Sequence, residues 1–176
     1  RIQEAAYNMM DARVRRTIHF NYGMALAPLA SGEDDESDLS LLTAANQLNL
    51  AGPEAVQDRS QIVIVATLNL RAGKKAMEMS DFRAAYSNFD HGISFLLKNH
   101  WDEHYDLSLE LFDLAAKCAL TNGDLIRLNI LSEQVVKKAH SLEDKLNVMY
   151  FVMCSLAYSS RLPESIEKGL DILSKL

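Results

Sequence analysis

From Asp58 onward, apolar residues return every three or four positions, the spacing that gathers them on one face of an α-helix. The pattern predicts helices over Ser60–Met79, Asp81–Lys98, Glu103–Thr121, Asp124–His140, Leu142–Ser159 and Pro163–Leu176, interrupted only by the short polar breaks "SD", "NHW", "NGD", "SLED" and "SRLP". Upstream, Ile2–Met10 and Asp11–Leu29 also read as helical, the second with Val14, Ile18, Tyr22 and Leu26 on one face. Pro28 and the run "SGEDDESD" predict the end of that helix and an exposed acidic loop. Asp38 is then the expected cap of a helix over Leu39–Leu50, which "AGPEAV" closes at Gly52–Pro53. Helices joined by such short loops must lie antiparallel to their neighbours.

Three of the breaks share a register. "SDF" (Ser80–Phe82), "GDL" (Gly123–Leu125) and "SRL" (Ser160–Leu162) each end one helix and begin another, at spacings of 43 (80 to 123) and 37 (123 to 160) residues. Seven residues before each break stand Gly73, Ala116 and Met153, and three further on Ala76, Ala119 and Leu156. After each break the matching positions are Ala85 and Phe89, Leu128 and Ser132, and Ser165 and Gly169. The first pair keeps much of the tetratricopeptide pattern, glycine in the first helix and A-x3-F in the second, with Asn69 and Leu97 replacing its tryptophan and closing proline. Small Gly73 and Ala85 let two helix axes approach, and Phe89 fills the groove beside them. Such a hairpin cannot bury its surface alone, so hairpins stack.

The fold expected is therefore all-α, with stacked antiparallel helical hairpins forming a TPR-like α-solenoid; a closed bundle of the same helices is the alternative. The division expected is 1–30 as a helical connection, 31–59 as acidic loop and linker helix, and 60–176 as repeats.

Composition changes this picture little. A chain of 176 residues with 48% hydrophobic and 24% charged residues suits one soluble domain. The net charge of −6, with "RVRR" at Arg13–Arg16 offset by "EDDESD" at Glu33–Asp38, argues against nucleic acid as a partner. The longest apolar patch, Asn147–Tyr158, is too short to span a bilayer, so no membrane partner is expected. Cys118 and Cys154 form no C-x-x-C pair and read as thiols of a reducing compartment. With no signal peptide ahead of Arg1, the chain reads as a cytoplasmic fragment of something longer.

Candidate chemistry is sparse. "HWDEH" at His100–His104 matches H-x-x-E-H, in which two histidines on one helical face bind zinc and Glu103 polarises the metal-bound water. The stretch straddles a predicted helix boundary, however, and Trp101 and Tyr105 read instead as anchors packing the start of the next helix. "AGKK" at Ala72–Lys75 lacks the glycine and hydroxyl positions of a phosphate loop. The acidic run lacks calcium-loop spacing and leaves Ser37 in a phosphorylation-like context. His19, His91 and His140 are scattered, and no nucleophile, base and oxyanion donor assemble, so no catalytic, cofactor-binding or metal residues are assigned. Tetratricopeptide modules that hold chaperone C-termini clamp carboxylates with Lys and Asn. Lys74 and Asn147 match such positions, whereas Leu70, Leu114 and Phe151 stand where further donors would be needed.

"RIQEAAYNMM" (Arg1–Met10), "LNLRAGKKAMEMSDFRAAYSNFDHGISFL" (Leu68–Leu96) and "WDEHYDLSLELFDLAAKCALTNGD" (Trp101–Asp124) carry a resemblance. The chain resembles the helical-repeat segment that follows the STAND-type AAA ATPase module of large multidomain signalling kinases. Those proteins place a Ser/Thr kinase-like domain before the ATPase, and often a GAF sensor with histidine kinase after it. The resemblance implies a non-catalytic scaffold or regulatory arm making protein contacts, with Arg1–Tyr7 closing the ATPase module and the nucleotide-binding residues lying upstream. The other readings are a free-standing adaptor that binds a peptide or partner protein, and a zinc hydrolase built on His100, Glu103 and His104.

Overall fold

Aspartate stands ahead of five of the helices, and in each case its carboxylate accepts a hydrogen bond from a backbone N–H that the first turn leaves unpaired. Asp11 caps α1 (Ala12–Leu26), Asp34 caps α2 (Asp35–Ala51) and Asp58 caps α3 (Arg59–Glu78). Asp81 caps α4 (Phe82–Phe95), and Asp124 caps α7 (Leu125–Lys138). Between the last two lie the single turn α5 (His100–Glu103) and α6 (Tyr105–Thr121); α8 (Glu143–Tyr158) and α9 (Leu162–Leu173) follow. These elements come from a computed structural model, which describes residue 7 and residues 9–32, 34–56 and 58–175. Among the described residues there are nine α-helices, two short 3-10 turns and no strand.

The three breaks that share a register in the sequence share one geometry. Ser80, Gly123 and Ser160 all adopt positive φ (60°, 76° and 59°). At each break the following N–H reaches five residues back: Asp81 to Ala76, Asp124 to Ala119 and Arg161 to Leu156, each at 2.9 Å. The left-handed residue itself donates three back, to Met77, Leu120 and Ala157, at 2.9, 3.1 and 3.0 Å. This double closure satisfies the last carbonyls of a helix while reversing the chain. The far ends of α4 and α7 also match, with Leu96 and Ala139 both extended at φ −67° and −66°.

Consecutive helices pack on one another: α1 on α2, α3 on α4, α6 on α7 and α8 on α9, with α2 also against α3, α4 against α6, and α8 against both α6 and α7. One apolar cluster runs from Ala66 and Leu70 of α3 through Phe89, Leu111, Phe112 and Leu128 to Val148 of α8. A second joins Leu41, Ala45 and Leu48 of α2 to Val65, Leu68 and Ala72 of α3. Helix α3 thus serves two cores from two faces. Between them Asn69, fully buried, exchanges a pair of 2.9 Å amide hydrogen bonds with Asn49 of α2. Gly73 lies under the ring of Phe89, where any Cβ would overlap the ring. In the third pair the sizes are exchanged: Met153 is large and Gly169 small, with a Cβ at Gly169 falling 3.2 Å from the Met153 sulfur.

Several boundaries depart from those predicted. The stretch read as an acidic loop is mostly the first turn of α2, where Asp35, Glu36 and Asp38 face the positive helix end. The cap is Asp34, not Asp38. Helix α1 stops at Leu26 and a 3-10 turn, Ala27–Ser31, carries the chain through Pro28, which is tolerated at its start. The "HWDEH" stretch breaks into α5 and α6 at His104 (φ −140°, ψ 55°). The predicted helix over Ile2–Met10 falls mostly outside the described residues.

Candidate functional site

The helix break at His104 decides the arrangement of the zinc-like motif. His100 turns inward, its ring stacked on Phe112 (centroids 5.7 Å) and its Nδ1 2.8 Å from the Ser108 hydroxyl. Burial holds its pKa below the ordinary value, with Lys138 adding to the effect. Glu103 meets Asn99 and lies 3.6 Å from Arg59, on a different face. The three residues do not converge on one point, and among the described residues no group of three His, Cys, Asp or Glu could hold a metal ion. Trp101 is buried against Phe112 and edge-on to Tyr105, as the anchor reading expects. Tyr105 extends the contact: it donates to Asp144 at 2.7 Å, accepts from the His140 N–H at 2.8 Å and stacks on the His140 ring at 3.8 Å. The motif is a packing joint linking α5, α6 and the α7–α8 connection.

The two residues matching a carboxylate clamp already have carboxylates of their own. Lys74 pairs with Glu110 at 2.6 Å, and the Asn147 amide donates to Asp113 at 2.8 Å. Leu70 is buried. Asp113 itself is unusual: its other carboxylate oxygen is buried without a partner, and burial, with Asp144 and Glu110 nearby, pushes its pKa up to about 6. Ser37 sits in the first turn of α2, its side chain buried and its N–H donating to Asp34. Cys118 is buried and its thiol is pushed up to about 11.

Two surface features lie on opposite flanks of α9. One is a row of exposed apolar side chains, Leu162, Ile166, Leu170 and Leu173, each between 57 and 66% exposed. Their spacing of four, four and three residues draws a single stripe along the helix. Ser165 and Gly169 face α8, the serine hydroxyl donating to the Met153 carbonyl at 3.0 Å. The other feature is a groove of about 350 Å³ where α7, α8 and α9 meet. Its lining is apolar at Val136, Val148, Met149 and Val152 and polar at Asn129, Ser132, Glu133, Lys137 and Lys168. Ser132 is only 4% exposed and its hydroxyl has no hydrogen-bond partner.

The sequence reading did not identify the groove, because its lining is drawn from three helices and forms no local motif. Comparison with known protein families, curated proteins and solved structures gives no match.

Proposed function

We propose that the chain is a TPR-like α-solenoid acting as a non-catalytic scaffold or regulatory arm of a multidomain signalling ATPase or kinase. The observation that carries the reading is the apolar stripe on α9. A row of four large apolar side chains on one flank of a helix is a surface built to be covered. The solenoid reading is supported by the three matching turns and by the repeated pairing of α3 with α4, α6 with α7 and α8 with α9. On this reading a neighbouring domain of the signalling protein seats on the stripe, in register with the helix pairs before it, and leaves it when the nucleotide state changes.

The test is made in the longer protein with the double substitution Ile166→Asp and Leu170→Asp. Cross-linking between α9 and the ATPase module should disappear, and nucleotide hydrolysis should lose its regulation. Cross-links and hydrolysis that match the unsubstituted protein would remove the proposal. A coding sequence ahead of Arg1 with no Walker loop and no winged-helix segment would remove its signalling context.

A further inference from the structure

The stripe on α9 has a counterpart earlier in the chain. Counted 2, 6, 10 and 13 residues beyond the break, Leu162, Ile166, Leu170 and Leu173 stand in register with Phe82, Tyr86, Asp90 and Ile93 of α4. Those four are half-buried where the next helix pair packs on α4. Asn122, at the α6–α7 turn, donates to the Phe82 carbonyl at 3.1 Å, and Arg127 of α7 reaches both Tyr86 and Asp90. The first helices of the two pairs also meet. Six residues before the break, Lys74 pairs with Glu110 of α6 at 2.6 Å; ten before it, Leu70 is only 6% exposed. One face of the first pair is thus closed by a hairpin that brings a carboxylate to Lys74 and a guanidinium to Asp90.

The third pair presents the same face with different chemistry. Cys154 holds the register of Lys74, and Tyr150, 55% exposed, that of Leu70. Ile166 and Leu170 hold those of Tyr86 and Asp90. None of these four is an acid or a base of the Asp, Glu, Lys or Arg type, so both charges that match the first junction are gone. A carboxylate arriving where Glu110 sits, or a guanidinium where Arg127 sits, would be buried here with no partner, which is unfavourable. The second junction shows the effect of a mismatch at this register. There the positions of Arg127 and Asp90 are held by two acids, Glu164 and Glu133. Glu164 accepts from neighbouring Arg161 at 2.6 Å instead, and the groove between α7 and α9 stays open.

We infer that the face formed by Tyr150, Cys154 and the α9 stripe seats a helical hairpin of the neighbouring domain. It lies on α8–α9 as α6–α7 lies on α3–α4, with large apolar side chains where α6 has Glu110 and α7 has Arg127. Stacked helix pairs each bury the face that the pair before leaves open. A hairpin matched to the first junction is turned away from this one by its own charges. The inference rests on the reading that a domain docks on the stripe, and adds what that domain presents: two antiparallel helices, uncharged where they cross Cys154 and Leu170.

In the longer protein, the photoreactive residue p-benzoylphenylalanine is placed in turn at Cys154, Leu162 and Leu170, and its attachment sites on the neighbouring domain are mapped by mass spectrometry. The residues meeting the equivalent positions of the first pair are Glu110, Asn122 and Arg127. The three sites should therefore follow in that order across one helix break, spaced near 12 (110 to 122) and then 5 (122 to 127) residues. Cys154→Lys, which restores the charge of Lys74, should weaken docking severalfold, read as cross-link yield from position 162, with circular dichroism unchanged. Leu170→Asp, at an exposed position, gives the same reading should that variant not fold. Attachment to alternate residues of a strand, to a single loop or to α9 of a second copy would overturn the inference, as would docking that both charged variants leave intact. If Ile166→Asp/Leu170→Asp abolishes docking while the attachments are of those kinds, the docking stands and the hairpin is refuted. No attachment to the neighbouring domain from any of the three positions would remove both.

Discussion

At the scale of the residue, the three left-handed positions are one device executed with different amino acids. Glycine meets no steric penalty at positive φ, whereas serine's Cβ crowds the following carbonyl by about 1–2 kcal/mol. Ser80→Gly should therefore raise stability by about 0.5–1 kcal/mol, and Gly123→Ala should lower it by about 1 kcal/mol, both read as shifts in urea midpoint at constant slope. Asp113 predicts a pH dependence of the opposite sense to an ordinary surface carboxylate. Its folded pKa of about 6 lies above the value in an unfolded chain, so the folded state holds its proton more tightly. The contribution to stability is fully present below about pH 4 and is lost as pH rises through about 6. Allowing for solvent screening at this partly exposed group, Asp113→Asn should recover on the order of 1 kcal/mol at pH 7 and nothing at pH 4. A pH series of chemical unfolding on both proteins checks it.

At the scale of the element, the helices were legible wherever a cap and an apolar period coincide. Asp81 and Asp124 each precede a run whose apolar residues fall three and four apart, and α4 and α7 begin one residue after them. Asp81→Ala and Asp124→Ala should each cost about 1 kcal/mol, measured by chemical unfolding, since each frees a first-turn N–H. The start of α2 was not legible, because Asp35, Glu36 and Asp38 have the composition of a solvated loop. Their suitability lies in the field of the helix end, which the apolar period does not register. The break at His104 was only half visible for the same kind of reason: the boundary could be read, but not that Tyr105 is held by Asp144 and by the N–H of His140, 39 and 35 positions away. Contacts of that range, like the Asn49–Asn69 amide pair, leave no local trace in the pattern. What the sequence did expose was the register of small and large residues around the three breaks.

At the scale of the whole molecule, the two apolar clusters share α3 and, through Phe95, α4, so the α1–α2 pair and the later helices are joined by packed helices rather than by a linker. The α9 stripe belongs to neither cluster. Ile166→Asp and Leu170→Asp should accordingly leave the unfolding free energy within about 0.5 kcal/mol of the unsubstituted chain, the range expected of exposed positions. A large loss of stability would mean that the stripe is part of the core.

The unequal spacing of the breaks, 43 and then 37 residues, has a bearing on how such a chain can lengthen. The tight reversals are superimposable in their bonding, and the whole difference is absorbed on the opposite side, where Leu96 is followed by the extra turn His100–Glu103 before α6 begins. Growth is thus confined to one margin of the molecule. A glycine–serine graft after Lys98 should be accommodated at a cost near 1 kcal/mol, the entropy of a longer tether. The same graft after Ser80 would sever both carbonyl closures at once and should leave the chain open to proteolysis between α3 and α4.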